Sequence, residues 1–155
     1  MQRYFQAALT DGQQIIATAA FTQKGTFNMS ATADQWKPFA ATQIVQTKRP
    51  GFVWNAKIML VPGLPVRVVD ASVAGTGTLR PSILGLYPLA DVHGTGEIAR
   101  GELMRWVSET IWYPTALLPS QGVVWQTLDD HSATATVADG PLNWDRMSVA
   151  YTVAG

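Results

Sequence analysis

Between Phe52 and Val61 an apolar side chain recurs at every second position: Phe52, Trp54, Ala56, Ile58 and Leu60. Only an extended chain gathers such residues on one side, because successive strand side chains point to opposite faces. The other face is mixed (Val53, Asn55, Lys57, Met59, Val61), so one side meets a core and the other meets water. Pro62-Gly63-Leu64-Pro65 then turns the chain into a second extended run, Val66 to Ala74. This hairpin makes an antiparallel sheet the centre of the fold.

The rest of the chain agrees with that centre. Met1 to Leu9 brings Tyr4, Phe5, Ala8 and Leu9 onto one helical stripe, ended by Asp11-Gly12. Gln13 to Thr22 alternates as a half-buried strand. Gln23-Lys24-Gly25 reads as its turn, leading into Thr26 to Ala31. Phe39 to Lys48 is a further extended run. Gly75 to Gly96, punctuated by Gly and Pro, reads as a loop with short helical pieces. Glu97 to Trp112 has helical spacing: Leu103, Trp106, Val107 and Ile111 form an apolar stripe, and Glu102, Arg105 and Glu109 a polar one that can pair within itself. Pro114 is its stop. Val123 to Leu128 and Ser132 to Ala138 form a hairpin around Asp129-Asp130-His131, and Met147 to Val153 is the last strand. Strands in runs with helices set apart predict an α+β fold. The expected form is a curved, mostly antiparallel sheet, half-barrel-like, packed around one or two helices in a single domain over residues 1–155.

Charge and cysteine content remove whole classes of function. Eleven basic residues balance eleven acidic ones, charged residues make up 14% against a usual value of about 25%, and there is no cysteine. Thiol nucleophiles, cysteine–zinc sites and iron–sulfur clusters are therefore excluded. A neutral chain without a Lys/Arg run offers no electrostatic footprint for nucleic acid or an anionic membrane. No stretch is long and apolar enough to span a bilayer, and the plain expectation is a soluble, cytoplasmic protein.

Most motif-like spacings have ordinary explanations. Gly94-x-Gly96-x-x-Ala99 opens a helix, but lacks the parallel strand and crossover that a dinucleotide fingerprint needs. His93 and His131 lie far apart, and turn chemistry accounts for Asp129-Asp130-His131, so no metal or other cofactor is expected. No Gly-x-Ser-x-Gly elbow exists. The carboxylates are more informative. Asp70 lies inside an apolar strand, and Glu109 lies among Trp106, Ile111 and Trp112, where desolvation favours a neutral acid. The competing reading pairs Glu109 with Arg105, and Asp70 with Arg67 or a backbone amide. Aromatics are the other signal: Trp36, Trp54, Trp106, Trp112, Tyr113, Trp125 and Trp144. A sheet curling around a helix can leave an apolar cavity lined by some of them.

Three stretches carry a resemblance: Arg49-Pro-Gly-Phe-Val-Trp-Asn-Ala-Lys-Ile58, Asp70-Ala-Ser-Val-Ala-Gly-Thr-Gly-Thr-Leu79, and Gly101 to Ser120, with its Glu109-x-x-Trp112-x-Pro114-Thr115 and Leu117-Leu118-Pro119-Ser120. Together they resemble a family of bacterial domains of unknown function, over nearly the whole chain. The resemblance implies a curled antiparallel sheet partly wrapping a helix, similar to lipoprotein-carrier folds, and names no reaction. It also implies that relatives continue with more strands beyond Val149. The last strand would then be an open edge, which a homodimer would cover.

The first functional expectation is therefore binding of a small apolar, lipid-like or aromatic molecule. Trp54, Trp106, Trp112, Tyr113 and Trp125 would line its pocket, with Arg105 or Glu109 orienting a polar group. The second is a small, metal-independent hydrolase or acid/base enzyme using Glu109 or Asp70, with His131 as a further candidate. The third is a dimerising structural module.

Overall fold

The structure, a computed structural model, describes residues 2–130, 132–137 and 147–152. A short helix α1 (Gln2–Ala8) precedes a meander of five long strands: β1 (Thr18–Asn28), β2 (Trp36–Gln46), β3 (Gly51–Val61), β4 (Leu64–Val73) and β5 (Thr76–Ile83). Two short pieces, β6 (Tyr87–Pro88) and β7 (Val92–Gly94), both pair with β5 and complete a seven-stranded sheet in which every pairing is antiparallel. Helix α2 (Glu97–Glu109) follows. A second, three-stranded sheet has the order β10 (Met147–Thr152), β9 (Ser132–Val137), β8 (Val124–Thr127). The α+β architecture is as expected. The sheet, however, is open and not strongly curled, so it forms no half-barrel.

Three expectations about elements need correction. Gln23-Lys24-Gly25 is no turn: β1 runs straight through it, and the chain reverses over residues 29–35. There the Asn28 side-chain oxygen accepts the N–H groups of Ser30 and Gln35, both at 3.1 Å. Gly25 sits mid-strand because a Cβ there would lie 3.3 Å from the Phe39 ring. The stretch read as a loop contains β5, whose period is masked by Gly77 and Pro81. The helix ends at Glu109, before a 3-10 turn over Thr110–Trp112, and Pro114 opens a second such turn. Ile111 therefore falls outside the apolar stripe and is exposed.

Alternation decides which face of the sheet is buried. Phe52, Trp54, Ala56 and Ile58 of β3 point inward with Ala41, Gln43 and Val45 of β2. Trp106, Val107, Tyr113 and Leu117 close over this face. Each large aliphatic buried here contributes about 1.5–3 kcal/mol. α2 lies across the strands because Gly77 lets it approach: a Cβ at that position would sit 2.7 Å from Ala99 N and Ile98 C.

Candidate functional site

Strand register sets one inward-facing row under α2. Phe21 of β1 opposes Gln43 of β2, Gln43 opposes Trp54 of β3, Trp54 opposes Asp70 of β4, and Asp70 opposes Leu79 of β5. In the helix, Glu102, Arg105 and Glu109 are spaced at i, i+3 and i+7, one stripe that can lie along such a row. This polar stripe, which the sequence showed able to pair within itself, also meets the polar positions of the sheet.

Arg105 is the hub. Its Nε donates to Glu109 Oε1 at 3.0 Å, and its Nη1 donates to Asp70 Oδ2. The guanidinium carbon lies 4.7 Å from the Phe52 ring centre and 5.1 Å from that of Trp54. The expected pairing of Arg105 with Glu109 along the helix is present, and the same guanidinium also reaches across to Asp70 on the sheet, a partnership the sequence did not suggest. Arg67, the side chain expected to pair with Asp70, points to the opposite face, across from Lys57. The network continues along the row. Gln43 Nε2 donates to Glu109 Oε2, Gln23 Nε2 donates to Gln43 Oε1 at 3.3 Å, and the Trp54 indole N–H donates to Gln23 Oε1 at 2.7 Å. Gln43 is only 1% exposed, so its hydrogen bonds are what make its burial tolerable.

The residue that sequence reading missed is Glu102. It is 8% exposed, and its pKa is pushed from 4.5 up to about 8. Burial is the largest cause, followed by the negative charge of Asp70 and a hydrogen bond with the Asp70 side chain. Glu109 adds to the rise and Arg105 partly opposes it. The Asp70 Oδ1 atom is buried and lacks a standing hydrogen-bond donor. A proton on Glu102 makes that carboxyl the donor Asp70 needs. Three carboxylic groups thus share one guanidinium, and holding one of them neutral reduces the charge imbalance.

This arrangement ties stability to pH. Glu102 keeps its proton up to about pH 8 when folded but releases it near pH 4.5 when unfolded. The folded state then binds the extra proton, so stability falls as pH rises across that window, with the full loss above about pH 8. Glu102→Gln should flatten the slope. Urea melts should find the variant more stable than the parent at high pH, by at most about 5 kcal/mol, the rise from 4.5 to about 8 taken at about 1.4 kcal/mol per pKa unit. The two should converge in acid. Identical slopes would remove Glu102 from this role.

The remaining aromatic candidates fall in other places. Trp106 is buried, donating its N–H to Gln46 O at 3.0 Å. Tyr113 is fully buried, donating its hydroxyl to Trp106 O at 2.9 Å. Trp125 donates to Leu117 O at 2.8 Å beside Phe5. These three belong to the packed core and its margin. Trp112 is exposed, edge-on to Phe21 at 5.7 Å between ring centres. Only Trp54 of the set joins the charged cluster. His131 and Trp144 lie outside the described residues. Among the described residues, no group of three His, Asp or Glu side chains could hold a metal ion, and no helix is long and apolar enough to cross a membrane.

Comparison with known families matches residues 1–148 to a family of unknown function, DUF6920. The chain belongs to DUF6920. The match covers all the residues of the cluster around Arg105. No curated protein and no solved structure matches the chain.

Proposed function

We propose that this DUF6920 domain binds a small, largely apolar or aromatic molecule bearing a polar head, on the inner face of the sheet beside α2. The observation that carries the reading is the surplus of carboxyl groups on Arg105, set against aromatic side chains. A buried ionic network usually costs stability compared with apolar packing of the same volume, so its presence calls for a reason beyond folding. A ligand head that donates hydrogen bonds or carries positive charge would meet the uncompensated acid. Phe27, Phe39 and Trp54, with ring centres 6.2–6.3 Å apart, offer an apolar floor for the rest of the molecule, and Phe27 is partly exposed. A helix on one face of an antiparallel sheet is also in keeping with a lipoprotein-carrier-like use of the fold.

Tryptophan fluorescence titrations with alkylamines, arylamines and carboxylic acids of matched length test this. Saturable shifts are expected with the amines, and Glu109→Gln should weaken them at least about tenfold, the cost of about 1.4 kcal/mol or more for a charge-assisted contact. A flat response across the panel would sink the reading.

A second reading, acid/base catalysis, is favoured by one observation: the Glu102 carboxyl holds its proton near neutral pH beside Asp70. The titrating group would then be Glu102, with Asp70 as its partner, where the sequence pointed to Glu109 or Asp70. A turnover whose pH profile lacks an inflection near 8, or that survives Glu102→Gln, would dismiss it.

A further inference from the structure

The opposite face and one end of the same sheet carry a different chemistry. The register aligns Lys24, Ala40, Lys57, Arg67 and Ser82 in one outward row. Lys57 and Arg67 are direct cross-strand partners, and like charges in that position repel. They line a groove of about 510 Å³ whose wall holds three cations and no carboxylate among the described residues. A chain of zero net charge thus has a cationic outer face, while Asp70, Glu102 and Glu109 lie on the inner one.

Three turns close the sheet at the end nearest this row: residues 29–35, 62–63 and 84–86. Large apolar side chains stand out from them. Leu86 is 75% and Tyr87 68% exposed, and Trp36, Val61, Leu84 and Leu89 are exposed too. Clusters of exposed apolar residues mark interaction sites. The turn over 83–86 is closed by Leu86 N–H donating to Ile83 O at 3.0 Å, with Leu84 at φ 55° and Gly85 at φ 77°. Such turns favour Asn-Gly, and a leucine in the left-handed region costs about 1–2 kcal/mol. Turn geometry therefore does not explain Leu84. The cations and the apolar tip also touch: a Cβ on Gly85 would lie 2.9 Å from Arg67 Cδ and 3.5 Å from its Nε. The one acid within the three turns, Asp34, accepts the Trp36 indole N–H at 3.3 Å.

We infer that this end of the sheet docks on an anionic lipid surface, with Trp36, Leu84, Leu86 and Tyr87 at the acyl boundary and Lys24, Lys57 and Arg67 at the headgroup phosphates. The spacing fits. Lys57 precedes the apolar Val61 by four residues, about 13 Å of strand, so it stands behind the inserted side chains, where its flexible stem can turn the ammonium toward the charged headgroup layer. Trp and Tyr are the residues that favour such a boundary. The inference concerns another face of the sheet and stands independently of the inner-face ligand.

Co-sedimentation with vesicles of phosphatidylcholine, with and without phosphatidylglycerol, is the test. The chain should pellet with the anionic vesicles, less as salt rises. Lys57→Gln with Arg67→Gln should lower partitioning about 25-fold, each cation near the surface being worth about fivefold. Leu86→Ser with Tyr87→Ser should lower it independently of salt. All four positions are exposed, so melting curves should match the parent, and single Lys57→Gln gives the same sign if the double variant melts early. Equal pelleting of parent and charge variants, no pelleting at all, or self-association abolished by Leu86→Ser would overturn the inference. Self-association would assign the tip to a second copy of the chain.

Discussion

Arg105→Met should cost about 3–5 kcal/mol of folding stability, the usual effect of removing one partner from a buried ion pair. Methionine keeps much of the side-chain length over Phe52 and Trp54, so the loss reports charge more than packing. Removing the guanidinium leaves Asp70, Glu102 and Glu109 beneath α2 with no cation between them. The deficit should be larger at alkaline pH, where Glu102 loses the proton that burial holds on it, than at neutral pH. Urea melts at several pH values measure this. A loss that is the same at every pH would mean that Arg105 acts by filling space. Adding Glu102→Gln to Arg105→Met should recover part of the loss, because residues in one network do not act additively.

Gly77→Ala should be nearly as damaging, at about 3 kcal/mol, although it adds a single methyl group. The new Cβ would meet backbone, 2.7 Å from Ala99 N and Ile98 C, and backbone cannot swing aside as a side chain can. The helix must lift or the strand must bend. Gly25→Ala is the control: its Cβ meets only the outer edge of the Phe39 ring, and it should cost under about 1 kcal/mol. Hydrogen exchange distinguishes local from general damage. In Gly77→Ala, the amides of α2 should lose protection while those of β1 to β3 keep theirs. A variant as stable as the parent would show that α2 does not rest on β5 through this glycine.

The sequence revealed the α+β class and most strands, because alternation is strong wherever one face is buried. It failed where a local signal had two physical causes. Gly25 marks a close approach to Phe39 as readily as a turn, and Gly77 with Pro81 hides a strand because helix contact outweighs strand propensity there. Asp70, Arg105 and Glu109 were legible as polar residues in apolar surroundings. Glu102 was not: on a helical wheel it belongs with them on a polar stripe, and a polar stripe ordinarily faces water. What it meets is Asp70 on the sheet, part of a row with Gln43 and Trp54 that only strand register brings beneath the helix. The neutral charge total was similarly uninformative, because it averages over two faces of the sheet with opposite character.

The helix lying across the strands, rather than along them, determines where the cluster's members come from. Gln23, Gln43, Trp54 and Asp70 each reside on a different strand, and Glu102, Arg105 and Glu109 on the helix. No contiguous fragment shorter than the stretch from β1 through α2 contains the whole set. Unlike a binding loop, the cluster cannot be transplanted as a peptide or preserved in a hairpin excised from the sheet. Its chemistry is a property of the assembled domain, and releasing α2 would dismantle it in one step while leaving every strand in place.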